Sequence, residues 1–325
     1  MGASLPLEMM RCPTCEGGLG SVRDRLECEG GHRFPVAGGI ARFCPPATYA
    51  DSFGYEWTRF PKVQLDSHEG RVSEGTFKEK TGLGPADVKG KTVLDAGCGM
   101  GRFSDVVARW GASTVVAADL SRAVEPASDN LMKHDSVAVV QADLFGLPVA
   151  KESFDIVFSI GVLHHTPSTF DALQRIAEYV KPGGRLCVWV YSRRLQLTLA
   201  GGEVIRLFTR RMKEDQLLRT ISTMAPKVHS IKEQWPRLAP FVNAIVPVSN
   251  HADEEWRILD TFDWYSPQYQ WKHSEEEVKG WFRQLGFTEV TSQAIPVSVS
   301  GLRQYVGDGS ARVSSPEYGQ GNGWK

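Results

Sequence analysis

Residues 91–104, KTVLDAGCGMGRFS, constrain the fold more than any other part of the chain. Val93 and Leu94 close a short apolar run, which predicts a buried strand. Gly97, Gly99 and Gly101 alternate behind it, and the following residues predict a helix start. Glycine permits positive φ and lets backbone approach a ligand closely. A strand, a glycine turn and a helix start predict a nucleotide-like ligand on the turn. The spacing excludes two common ligand types. A dinucleotide fingerprint needs its third glycine at position 102, which is Arg102. A phosphate-gripping loop needs a Gly-Lys-Ser/Thr ending, which is absent. Asp95, two residues before the first glycine, carries the sign of the site. A carboxylate there repels a pyrophosphate and attracts a cationic ligand group. S-adenosylmethionine has an ammonium, a sulfonium and no phosphate, and fits that sign.

The segments that follow extend the frame. TVVAADLS (114–121) predicts a second strand ending at Asp119, about twenty residues past the turn, where an acid can bind ribose hydroxyls. VAVVQADLFGLP (137–148) predicts a third strand with Asp143 behind it, and FDIVFSIGVLHH (154–165) a fourth. RLCVWVY (185–191), after the turn KPGG, predicts a fifth.

This ordered series resembles the class I S-adenosylmethionine-dependent methyltransferases, especially the metabolite branch that includes ubiquinone-pathway enzymes. The resemblance covers residues 88–192 and 274–306. It implies an α/β, Rossmann-like sheet with helices on both faces. It also implies that Asp95, Gly97 and Gly99 line the methionine end, that Asp119 holds the ribose, and that Asp143 with Leu144 meets the adenine. Cys98, Gly101, Arg102, Leu120 and Ser159 complete the expected cofactor set.

A separate cysteine pattern precedes this domain. Cys12-x2-Cys15 presents two thiolates from one tight turn, and Cys28-x3-His32 supplies two more ligands. Four soft or borderline ligands suit a structural, tetrahedral zinc. Cys44 competes with His32 for the fourth place. The segment resembles the zinc ribbon of a ribosomal RNA guanine methyltransferase family, and HRFPVAGGI resembles small methyltransferase activators. A nucleic-acid reader needs a basic footprint. Residues 1–46 instead hold five bases (Arg11, Arg23, Arg25, Arg33, Arg42) and five acids (Glu8, Glu16, Asp24, Glu27, Glu29). That balance favours a structural brace or a partner surface.

The expected organisation is a zinc ribbon over 1–46 and a packing linker with helices over 47–90. The methyltransferase domain spans 91–191 and 274–306, a helical substrate lid spans 192–273, and the tail 307–325 is expected to be disordered. The lid is an insertion of about eighty residues, too long for a simple loop. SEEEVKGWFRQLGF predicts a helix capped by Ser274 and stopped at Gly286. FTEVTSQAI and SGLRQYVG predict the last two strands. In FGYEWTRF, Tyr55, Trp57 or Arg59 can close over the cofactor.

Composition adds bounds. Net charge is −1, so no global field draws the chain to nucleic acid or anionic membrane. No secretory leader or membrane-spanning run is read, and a cytoplasmic location is expected. The expected function is methyl transfer to O, N or C of a small-molecule acceptor, for which aromatic or anionic character is compatible. An RNA base methyltransferase and a partner-dependent subunit are the alternatives. His164 and His165 follow the fourth strand and are the candidate bases, not separable from sequence. Trp264, Tyr265, Tyr269 and Trp271 form either an acceptor wall or the lid's own core, with the Tyr265 hydroxyl the candidate for orienting substrate.

Overall fold

The computed structural model describes residues 6–45, 48–66, 72–193 and 200–305; the expected tail lies outside them. Its centre is a parallel sheet made from the apolar runs seen in the sequence. Strands β5 (Thr92–Ala96), β6 (Thr114–Asp119), β7 (Val137–Gln141) and β8 (Phe154–Ile160) are buried almost throughout. Such runs, apolar on both faces, are what a sheet covered by helices on both sides requires. β9 (Val180–Trp189) begins earlier than the expected 185 and pairs parallel to β8. β10 (Phe287–Ser292) and β11 (Ser298–Arg303) follow, and β11 runs antiparallel to both β9 and β10. β6 and β8 flank β5 on opposite sides, so the glycine turn after β5 sits at the switch point where open α/β sheets bind ligands.

The cysteine-rich segment forms β1 (Leu19–Val22), β2 (Arg25–Cys28), β3 (Arg33–Ala37) and β4 (Ile40–Arg42). These strands are not a detached module. β4 pairs parallel to β7, with Ala41 opposite Val140 and Arg42 opposite Gln141. Among the described residues the sheet therefore runs to eleven strands, in the order β1-β2-β3-β4-β7-β6-β5-β8-β9-β11-β10. The Arg42 guanidinium fixes the junction, donating to Gln141 Oε1 at 2.6 Å and to Glu125 Oε1 at 2.8 Å. Leu19, Leu26, Cys12 and Cys28 share one apolar core with Leu94 and Val140. Sequence pattern did not foresee this continuity, because a three-residue strand carries almost no periodic signal.

Helices cover both faces and one end. α1 (Asp51–Arg59), α2 (Val72–Thr81) and α3 (Pro85–Val88) precede β5. α4 (Arg102–Arg109), α5 (Val124–Leu131) and α6 (Thr169–Ala177) alternate with the strands. The insertion is helical: α7 (Ala200–Thr209), α8 (Glu214–Gln234), α9 (Ala239–Ile245) and α10 (Glu254–Tyr265). It builds its own core, in which Leu217, Ile221, Phe262 and Tyr265 are buried with Phe60 and Val63 from the preceding segment. α11 (Glu275–Gln284) has Ser274 and Glu277 in a reciprocal capping box, and β10 begins just past Gly286.

Candidate cofactor and acceptor site

The glycine turn is held in a shape only glycine adopts without strain. Gly97, Gly99 and Gly101 have φ of +94°, +53° and +91°. A Cβ on Gly97 would lie 2.4 Å from Val162 Cγ2, and one on Gly101 2.7 Å from Leu131 Cδ1. The turn is tied to the next strand by Asp119. The Gly99 N–H donates to Asp119 Oδ2 at 2.9 Å, and the Ser121 N–H and hydroxyl donate to Oδ1 at 2.8 and 2.7 Å. A carboxylate has roughly four acceptor sites, so Asp119 keeps capacity for a further donor. Burial pushes its pKa up, against the pull of these hydrogen bonds.

A cavity of 540 Å³ opens in front of the turn. Of the expected cofactor set, Gly97, Cys98, Gly99, Arg102, Asp119, Leu120 and Leu144 line it. Four other expected residues do not line it. Asp95 lies beneath the turn at 2% exposure, where the Ser104 hydroxyl donates to Oδ2 at 2.7 Å. Burial and the nearby Asp119 raise its pKa to about 7, so it offers no steady charge to a cationic ligand. Ser159 donates to the Ala96 carbonyl at 2.7 Å and ties β8 to β5. Gly101 caps α4 against Leu131. Asp143 accepts from the Phe145 N–H at 3.0 Å and shapes the turn that presents Leu144.

The far wall comes from α1 and α10. Phe53, Glu56 and Trp57 of α1 line the cavity, as do Trp256, Asp260 and Asp263 of α10. The spacing of 53, 56, 57 and 60 is a helical stripe, and it was the available signal. Of the three residues expected to close over the cofactor, Trp57 does line the cavity. Tyr55 turns away and donates to Asp215 on α8 at 2.6 Å, and Arg59 is exposed.

The two histidines separate. His165 lines the cavity, and its Nδ1 lies 2.9 Å from the Tyr269 carbonyl oxygen. A carbonyl only accepts, so Nδ1 carries the proton and Nε2 of the neutral ring carries the lone pair. Burial lowers its pKa and keeps the ring neutral. His164 is fully buried behind it, its ring 4.0 Å from that of Tyr191, and neither ring nitrogen has a partner. It is packing, not a base facing the cavity. Tyr265 touches the cavity, but its hydroxyl donates to the Pro247 carbonyl at 2.7 Å and burial raises its pKa strongly. That hydroxyl braces the lid rather than a substrate. Trp264 lines the cavity, whereas Trp271 is half exposed and donates from Nε1 to the Thr166 carbonyl.

Cys12, Cys15, Cys28 and His32 converge, with all four ligand atoms within 4.8 Å of one another. Cys12 Sγ and Cys28 Sγ lie 3.5 and 3.3 Å from His32 Nδ1, and Cys15 Sγ lies 3.6 Å from Cys28 Sγ. A tetrahedron with zinc–ligand bonds of 2.0–2.3 Å has edges of roughly 3.5–3.8 Å, which these three separations approach, so the donor set is chemically suited to that ion. Cys44 is elsewhere; its thiol donates to the Leu120 carbonyl at 3.6 Å. The fourth member of the set is therefore His32.

Within the sheet, the β5–β11 part is parallel but for the reversed β11, and with a glycine turn at its switch point and an acid ending the adjacent strand it defines a class I methyltransferase architecture. The methyltransferase domain family matches residues 94–188. Over 196 residues the chain is 30% identical to the ubiquinone biosynthesis O-methyltransferase of Rhizobium etli, covering 55% of this chain and 72% of that protein. The chain belongs to this family of S-adenosylmethionine-dependent methyltransferases. Shorter matches are to methyltransferase GfsG of Streptomyces halstedii, 36% identical over 103 residues (30% of this chain, 37% of that one). A tRNA U34 carboxymethyltransferase of Methylococcus capsulatus is 36% identical over 104 residues (31% of this chain, 32% of that one). These two matches span about a third of each relative, so neither transfers an acceptor to this chain. The residues present fit S-adenosylmethionine: an open glycine backbone, an acid with acceptor capacity and apolar walls at Leu120 and Leu144. No helix among the described residues is long and apolar enough to cross a membrane.

Proposed function

We propose that the enzyme methylates a small-molecule acceptor held between the glycine turn and the helical lid, with a structural zinc bracing the sheet edge. The observation that supports this most is the continuity of one cavity from the glycine turn to the lid wall. S-adenosylmethionine supplies an electrophilic methyl group on a sulfonium. Gly97 and Gly99 offer their backbone to its methionine end, Asp119 accepts from the ribose, and Leu120 with Leu144 flank the adenine. Trp57, Trp264 and Phe53 exclude water from the reacting centre. His165 orients the acceptor through Nε2 and takes its proton when the nucleophile is a hydroxyl or other weak acid. The ribbon's even balance of five bases and five acids supports a structural zinc rather than an RNA grip.

The test is enzyme incubated with methyl-labelled S-adenosylmethionine and fractionated host lysate. Label in the soluble metabolite or lipid pool is the expected result. Label in RNA would overturn the acceptor assignment and make the ribbon a recognition module.

A further inference from the structure

Glu56 is the most anomalous residue of the cavity. It is 1% exposed, and neither carboxylate oxygen has a hydrogen-bond partner. Buried polar groups are almost always paired, and a buried unpaired carboxylate is expensive. Two more carboxylates stand with it. Asp260 accepts from Ser249 Oγ at 3.0 Å and from Trp256 Nε1 at 3.1 Å, and Asp263 accepts from the Tyr191 hydroxyl at 2.6 Å. All three line the cavity. Among the described residues no ion pair joins any of them to a lysine or arginine.

The cations of the same cavity make their direct contacts with other groups, although Arg206 lies within electrostatic reach of Asp263 and Lys80 of Asp260, and Arg102 donates to Ser73 and Gln64. Arg206 donates to the carbonyls of Trp264 and Pro267, Lys272 pairs with Glu203, and Lys80 Nζ lies 3.4 Å over the Trp189 ring. Burial, reinforced by Asp263 and Asp260, pushes Glu56 far above the ordinary carboxylate range. Burial likewise pushes Asp260 up to about 6. The three carboxylates thus form an acidic stretch of the cavity wall with no directly paired cation, lined also by Trp57, Trp256 and Trp264.

We propose that the acceptor carries a cationic amine that seats against Glu56, Asp260 and Asp263. This rests on the reading that the cavity holds a small-molecule acceptor beside the cofactor. An ammonium brings several N–H donors and a positive charge together, and aromatic faces favour it further. A hydroxyl would satisfy one oxygen but would not favour the ionised form of these buried acids, as a cation does. A divalent ion needs ligand atoms that converge, and among the described residues the cysteine–histidine set alone does so. An ammonium bound to carboxylates has no lone pair. The amine is therefore an anchor, and the methylated nucleophile is another atom of the acceptor.

The experiment uses the full chain saturated with S-adenosylhomocysteine. Benzylamine, tyramine and 4-phenylbutylamine are titrated by calorimetry beside the alcohol matched to each. At least one amine should bind about tenfold or more tightly than its alcohol. Glu56→Gln should abolish that preference while S-adenosylhomocysteine affinity is retained, and Asp260→Asn supplies the same readout if the first variant does not fold. Amines that bind no better than alcohols, no binding by any amine, or a preference that survives both substitutions would overturn the proposal. Failure of the wild type to bind S-adenosylhomocysteine would instead overturn the reading of the cavity on which it rests.

Discussion

Replacing Asp95 with Asn tests whether the acid beneath the glycine turn is a charge or a buried proton carrier. Burial raises its pKa to about 7 in the folded protein, against an ordinary aspartate value of about 3.9. A raised carboxyl contributes stability that is fully present below the unfolded pKa and is lost as pH rises through the folded one. Each pKa unit is worth 1.36 kcal/mol, so wild-type stability should fall by about 4 kcal/mol from this residue alone as pH rises from about 4 to above 7. Asparagine keeps an oxygen for the Ser104 hydroxyl, which donates to Asp95 Oδ2 at 2.7 Å, and it has no charge to bury. The variant should match the wild type near pH 4 and exceed it progressively towards pH 8. Urea unfolding at a series of pH values reads this directly, with the slope on denaturant checked for constancy. Groups common to both proteins cancel in the difference. Parallel stability curves for the two proteins would refute the reasoning and return Asp95 to the status of an ionised ligand.

Gly97→Ala should lose about 2–4 kcal/mol of stability in urea unfolding, from left-handed strain plus overpacking against Val162; an unchanged midpoint would contradict the turn geometry. Cys12→Ser should abolish stoichiometric zinc by metal analysis and expose the β1–β3 region to protease, whereas a stable wild type without metal would sink the structural ion. With the acceptor found by labelling, His165→Gln should lower kcat by about 100- to 10,000-fold without changing S-adenosylhomocysteine affinity. Retained kcat would remove His165 from proton transfer.

The part of the site made by consecutive residues was legible in sequence. Gly97, Cys98 and Gly99 lie on one turn, and Asp119 and Leu120 end the next strand, so motif spacing fixes their placement once the strands are recognised. Asp95 is expected at the methionine end, but alternation along β5 turns its side chain into the core, onto Ser104, and not into the cavity. His164 and His165 could not be told apart, because which ring reaches the cavity is set by Tyr269, more than a hundred residues away. The acceptor wall was hidden for the same reason. Glu56 and the Asp260–Asp263 pair meet only after two helices from opposite ends of the chain pack together. Each acid alone reads as a solvated residue on an amphipathic helix.

That meeting makes α1 the element that links cofactor to lid. Three consecutive side chains point in three directions, as a helix with 100° per residue requires. Tyr55 bonds Asp215 of the lid, Glu56 enters the cavity wall, and Trp57 closes on the glycine turn. A Cβ on Gly99 would lie 3.2 Å from Trp57 Nε1, so the indole already occupies the space that a larger residue would need. Trp57→Ala should therefore act on both sites at once. It opens the cofactor turn to water and frees the helix that carries Glu56, and S-adenosylhomocysteine affinity should fall by about tenfold or more. Tyr55→Phe removes only the lid bond, so it should leave cofactor affinity intact and raise the acceptor KM. Equal effects of the two variants on cofactor binding would mean that α1 moves as a rigid part of the lid and that the turn does not sense Trp57 separately.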